Sequence, residues 1–448
     1  MKRIQRALFT GLLLLPVVSA HSQNGINSPY SRYGFGVMSD RSLGFNKGMS
    51  GVAQGFRNGL ETNVSNPASY SATDSLTALI DFGLSFQNGN YKMGNLQKNA
   101  KNTSIDYFTF QFRAFKNLGM SFGILPYTNI NYNFTSNTEN VTGAENITSS
   151  YEFSGSGGLH QVYFGAGWKI FGSPLSIGAN ISYLYGDYNH TSKIAYNQQS
   201  VYSMTRSYTA DISTWKLDAG LQYTIKLSKT DDLTLGATYG YGHNINNRAI
   251  RTTQTTASTT IQGTTSDTIH NAFALPHSLD AGFTYQHGRK WRLGGDFGIE
   301  KWSDCKFPSQ DNSEGTYLSR KGQLYDRMNA GLGFDITPNY QSKKLFNRMT
   351  YKLGGYYSRS YACADPTGTI TDKPYEFGVS AGVTIPISNR NVWFGHTPKL
   401  NFAVQWVHTN IPYLNTTTFK KSTLEENYLK LSIGLTFSEH WFYKWKVQ

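Results

Sequence analysis

Residues Ser104 to Phe115 read SIDYFTFQFRAF. Phe108, Phe110, Phe112 and Ala114 recur at every second position, and Tyr107, Thr109, Gln111 and Arg113 fill the places between. A period of two is that of a β-strand with one apolar and one wet face. Leu175, Ile177, Ala179, Ile181, Tyr183 and Tyr185 repeat the pattern, alternating with polar or small residues. So do the rows Trp215 to Ile225, Trp291 to Ile299 and Leu429 to Phe437. The chain as a whole is polar, yet 15% of its 448 residues are aromatic. Rows of large apolar side chains in such a chain need an apolar medium along one face of each strand.

The N-terminus supplies the compartment. Lys2, Arg3 and Arg6 precede a short leucine-rich run, and Val18-Ser19-Ala20 offers a small-residue cleavage site. Residues 1–22 therefore read as a secretory signal peptide, too short for a membrane span. No later run of about 18 apolar residues suggests a transmembrane helix. A barrel remains open, because its signal per strand is weak. The formal charge of +13 fits anionic lipid headgroups and lipopolysaccharide phosphates better than nucleic acid, which an exported chain rarely meets.

About 14 alternating segments follow, most of them long enough to cross a bilayer at a tilt. They fall near 76–86, 104–115, 118–134, 157–170, 174–190, 209–227, 232–247, 272–287, 290–303, 322–337, 349–361, 374–386, 398–409 and 424–437. Long polar links (87–103, 135–156, 191–208 and 248–271) alternate with short ones such as Lys116-Asn117 and Gly288-Arg289. Long loops on one side and tight turns on the other predict an all-β fold. This is a closed antiparallel transmembrane barrel over 76–438, in the outer membrane of a Gram-negative cell, with a periplasmic tail at 439–448. Closure leaves no unpaired edge in lipid. A soluble secreted β-protein is the alternative.

Residues 23–75 lack the alternation but carry Tyr30, Tyr33, Phe35, Met49, Phe56 and Tyr70. A segment this long and this rich in packing side chains reads as a compact plug inside the bore. The run Gly51-Val52-Ala53-Gln54-Gly55 followed by Val64-Ser65-Asn66-Pro67-Ala68 resembles the plug, or hatch, of the FadL family of outer-membrane hydrophobic-compound transporters. Asn66, Pro67 and Ala68 stand at the family's hatch motif. Ser28-Pro29-Tyr30-Ser31 and Glu439-His440-Trp441-Phe442 are similar to the Bacteroidetes branch of such barrels. Leu275-Pro276-His277-Ser278 and Trp302 also resemble family positions.

The resemblance implies that a fatty-acid or lipid-like ligand binds among extracellular loops. It would then enter the bore and leave sideways into the membrane after the hatch shifts. The family's exit lies at a kink in the third strand. Here that strand reads LGMSFGILPYTNINYNF, with Pro126 at mid-length. Proline cannot donate to a ladder, so Gly123, Pro126 and Tyr127 mark a candidate side opening, or else an ordinary bulge. Arg113 and Arg292 are candidate lumen cations for a ligand carboxylate; pairing with Asp106, Asp296 or Glu300 is the alternative.

No catalytic signature emerges. The ten histidines are scattered, with no zinc spacing and no phosphate loop, so no enzyme, metal or cofactor is expected. Expected partners are outer-membrane lipids and lipopolysaccharide, a hydrophobic ligand, and the barrel-assembly machinery during insertion. A rival reading is an interaction barrel serving secretion or surface-attachment machinery without small-molecule transport. A transporter should show a continuous apolar tunnel, and an interaction barrel a solid plug. Strand parity places Cys305 and Cys363 in neighbouring extracellular loops, within reach of a disulfide.

Overall fold

The computed structural model describes residues 28–94, 96–135, 139–141, 146–198, 200–257, 260–310, 317–363, 372–387, 398–414 and 421–440. The expected signal peptide and the tail beyond His440 lie outside the described residues.

Fourteen antiparallel strands form the wall. They are β1 Thr77–Met93, β2 Leu96–Phe115, β3 Leu118–Pro126 continuing as Thr128–Thr135, β4 Thr148–Lys169, β5 Leu175–Tyr196, β6 Ser203–Lys226 and β7 Asp231–Gly240. After these come β8 Ser278–His287, β9 Trp291–Glu300, β10 Arg327–Ile336, β11 Thr350–Arg359, β12 Tyr375–Pro386, β13 Lys399–Leu414 and β14 Lys421–His440. β14 returns to β1 over the whole length of that strand, from Thr77↔His440 to Met93↔Leu424, and closes the barrel. No described helix is long and apolar enough to cross a membrane.

The alternation sets which way each side chain points. Phe108, Ile181, Tyr183, Trp215, Leu221, Phe297 and Leu431 are exposed on the outer surface, where lipid covers them. Thr109, Gln111, Asn180, Ser182, Gln222 and Ser432 are buried in the bore. Each strand thus places its apolar face in hydrocarbon, and its polar face finds hydrogen-bond partners inside.

Three of the expected long loops are largely strand. β1 and β2 run on to Met93 and Leu96, turning at Gly94 with φ 59°. β5 and β6 likewise consume most of 191–208. Above the membrane both sheet faces meet water, so the apolar period disappears while the ladder continues. The 248–271 link is a hairpin, Arg248–Ala257 with Thr260–His270, whose first strand pairs with the top of β6. β7 and β8 are shorter than the sequence suggests. Ile245 and Phe273 leave the wall, pair with each other across a two-stranded bridge, and bury in a cap over the bore.

The third strand is broken where the proline predicts. The described β2–β3 ladder ends at Phe108↔Ile124, two residues before Pro126, which has no N–H to give. β4 absorbs the bend with a one-residue slip between Pro126↔His160 and Ile130↔Gly157. There Gly157 and Gly158 hold φ of 123° and 124°, a region other residues avoid. Beyond the break, hatch residues Val37 and Met38 pair with Asn129 and Thr128. A strand from the plug thus takes the place that β2 vacates.

Candidate functional site

The hatch fills the lower bore on two short 3₁₀ turns. In the turn Pro67–Ala72, Asn66 is the N-cap: its side-chain oxygen accepts from Ala68 N at 3.2 Å. Its amide nitrogen donates to Gln54 O at 3.0 Å and Leu221 O at 3.2 Å, so one buried residue ties cap, hatch loop and wall. Pro67 sits at N1, where a missing N–H costs nothing. The wall meets this turn with a row of paired glycines, Gly119↔Gly167↔Gly178↔Gly220. A Cβ on Gly178 would lie 2.5 Å from Pro67 C, and one on Gly220 2.4 Å from Asn66 Oδ1. The second turn, Lys47–Met49, lies against β10–β13, where a Cβ on Gly354 would lie 2.4 Å from Met49 C.

Charge then locks the plug in place. Lys47, buried, reaches Asp106 at 2.6 Å and Asp40 at 3.5 Å. Burial lowers the Lys47 pKa, but Asp106 and then Asp40 outweigh it and hold the ammonium well above its ordinary value. Burial raises Asp40, yet Lys47 and then Lys430 hold its carboxyl well below the usual range. Glu61 takes Arg292 at 3.0 Å and Lys399 at 3.2 Å. These cations overcome its burial and depress its pKa strongly. Asp296 accepts from the backbone of Ala53 at 2.6 Å and Gln54 at 3.0 Å. Lys352 donates to Phe45 O at 2.6 Å.

Above the hatch lies a cavity of about 310 Å³. Its lining is charged: Asp40, Arg41, Lys216, Asp218, Asp280, Glu300, Arg327, Glu376, Glu426 and Lys430 all contribute. Over it sits the aromatic cap. Phe35 of the hatch packs on Phe273 at 5.0 Å and Phe307 at 5.3 Å, and Trp302 stacks on Tyr361 at 4.6 Å. The hatch thus fills the bore below this cavity and the aromatic cap lies over it, and the lining mixes the charged groups with apolar ones such as Met38, Leu125 and Ile411.

Each residue singled out in the sequence now has a place. Asn66, Pro67 and Ala68 are buried at the hatch–wall joint. Gly123, Pro126 and Tyr127 lie at the end of the β2–β3 ladder, with Tyr127 buried under the cap. Arg113 faces the hatch end, donating to Ser75 Oγ at 3.0 Å and Thr73 O at 3.4 Å. Arg292 grips Asp335 at 2.5 Å as well as Glu61, and covers the Phe56 ring at 4.1 Å. Both arginines anchor the plug. Cys305 and Cys363 lie at the same end, in loops joined through the Trp302–Tyr361 stack, but no disulfide links them. Cys305 instead turns its Sγ to Lys301 O at 3.6 Å inside the cap, where burial pushes its thiol up to about 12. Lys47, Arg41, Glu61 and the glycine rows carried no signal, since a lone charge in a Gly/Ser-rich stretch looks like any solvated one.

Solved structures share the architecture. The CymD monoaromatic hydrocarbon channel aligns with TM-score 0.57 at 14% identity, over 91% of this chain and 100% of its own. A Pseudomonas aeruginosa FadL homologue gives 0.59 at 12%, over 90% and 99%. The P. putida toluene transporter TodX gives 0.58 at 14%, over 91% and 100%. At these identities the likeness establishes a FadL-like fold. No curated protein sequence is significantly similar to the chain. The family model named BamG, however, matches residues 3–448. By that match over nearly its entire length, the chain belongs to the BamG family.

Proposed function

We propose that this chain is a stoppered interaction barrel of the outer membrane, serving a protein machine there rather than conducting small molecules. The observation that carries the reading is the bore: a cavity rich in charged groups lying between hatch and cap, with the plug held by buried ion pairs. A hydrophobic molecule crossing it would have to displace water from paired carboxylates, ammonium and guanidinium groups without replacing their contacts, which is costly. The family name points the same way, toward barrel-assembly machinery. Outer-leaflet lipopolysaccharide is a further contact, through Lys92, Lys98 and Lys101 on the β1–β2 hairpin. The test is mild detergent extraction of the tagged chain from native membranes, combined with its depletion. Co-purification of assembly components and loss of other outer-membrane barrels support the reading. A chain that purifies alone, with barrel levels unchanged on depletion, refutes it.

One observation favours a second reading, a channel for hydrophobic compounds with lateral exit. The β2–β3 ladder stops at Ile124, and the seam above is lined by a hatch strand rather than by β2. Withdrawal of Val37 and Met38 would open that seam toward lipid. Three structural relatives are a monoaromatic hydrocarbon channel, a FadL homologue and a toluene transporter. An uptake defect for such compounds in a deletion strain whose assembly is intact would favour this reading over the first.

A further inference from the structure

The periplasmic side of the hatch holds a recess of about 230 Å³ that neither reading uses. Its floor is the hatch segment Gly55 to Arg57 together with Ala72. Its sides are the ends of strands near the short turns: Lys169 of β4, Thr224 of β6, Thr234 of β7 and Thr284 of β8. Arg57 is the key group. Its guanidinium donates from Nη1 to Ala68 O at 3.2 Å and Gln222 Oε1 at 3.4 Å, and from Nη2 to Ser71 Oγ at 3.0 Å. All three acceptors are neutral. Nε–H and one Nη2 hydrogen remain, and among the described residues no carboxylate forms an ion pair with Arg57.

Its neighbour Arg292 differs, being neutralised by Glu61 and Asp335. A half-buried guanidinium with a free edge and no counter-ion matches the fork geometry that carboxylates and phosphates accept. Burial pushes its pKa down to about 10, as expected of a cation that nothing pairs. Lys169 adds positive charge, and Asp232 is the one acid in the lining.

We propose that this recess is an oxyanion site, with Arg57 as the anchoring cation and Lys169 as a second positive group, that takes a carboxylate of a peptide chain in the periplasm. The site stands on its own residues; the peptide as its occupant rests on the interaction reading. The recess lies on the hatch rather than on the lipid-facing wall, which favours a soluble chain end over a phospholipid headgroup.

The full chain, in nanodiscs of zwitterionic lipid, is titrated with a short labelled peptide bearing a free C-terminal carboxylate, and with the same peptide amidated. Fluorescence anisotropy reports binding, and inorganic phosphate serves as competitor. The carboxylate form should bind about tenfold or more tightly than the amide, with phosphate displacing it. Arg57→Gln should lose about the same factor, and Arg57→Lys less. Lys169→Gln, at an exposed side chain, should weaken binding several-fold with an unchanged unfolding temperature, so it serves even if Arg57→Gln fails to fold. Equal binding of acid and amide, or indifference to Lys169→Gln and Arg57→Gln, overturns the site. Competition by phosphate without preference for the peptide acid overturns the peptide occupant, as does binding confined to nanodiscs of anionic phospholipid. Co-purification is a separate measurement, so the site and the interaction reading can fail independently.

Discussion

Lys47 is a lysine with almost no water around it, and it shows how this plug is held. Cutting one partner from a buried pair leaves the other charge uncompensated, at a cost of about 3–5 kcal/mol, whereas removing both is far milder. Lys47→Met should therefore speed amide exchange across residues 43–55 with the wall still folded. The double variant Lys47→Met/Asp106→Asn should restore part of the protection. Both effects are read by hydrogen-exchange mass spectrometry. The same network gives a pH dependence with a definite sign. Asp40 and Glu61 have folded pKa values depressed by their cations. Their stabilisation is complete above the unfolded carboxylate range of about 4 and is lost as pH falls further toward the folded values. Hatch protection, taken as exchange relative to the intrinsic rate at each pH, should be flat from neutral pH to about 5 and fall below about 4. Loss of protection near neutrality would mean that other groups hold the plug.

At the scale of elements, the wall is built to receive the hatch. The glycine row across β3, β4, β5 and β6 lets the Asn-Pro-Ala turn touch bare backbone. Gly220→Val, whose Cβ would lie 2.4 Å from Asn66 Oδ1, should expel or shift that turn by overpacking of about 1–3 kcal/mol. The barrel itself should keep its heat-modifiable migration on gels. Normal exchange protection at 66–72 in this variant would contradict the packing described. At the seam, Val37→Pro removes a donor from the hatch strand that lies along Thr128 and Asn129. It should raise uptake of a hydrophobic fluorescent dye by intact cells relative to the unmodified chain; unchanged uptake would mean the strand does not seal the wall. The strands themselves were legible because lipid imposes a period of two, and SIDYFTFQFRAF obeys it. Where water wets both faces, as in β1 and β2 above Ser85 and Ser104, that constraint lapses and strand passes for loop. The glycine row was hidden because its members lie on four strands, each an unremarkable small residue in its own segment.

For the whole molecule, closure, strand number and plug followed from alternation, link lengths and one atypical N-terminal segment. The chemistry of the bore did not. Arg113 and Arg292 were visible as inward cations, but their partners, Ser75 and Thr73 for one and Glu61 and Asp335 for the other, are set by three-dimensional register that no short motif encodes. The cysteines share an end of the barrel, with Cys305 packed among Trp302 and Phe307 in the cap. What unites these details is a barrel whose bore is filled by the hatch below and roofed by the aromatic cap above. Planar-bilayer conductance of the purified full chain tests this most directly. The filled bore predicts no steady current from the unmodified protein, and stepwise openings once residues 28–75 are deleted. A steady ohmic current from the unmodified chain would contradict it.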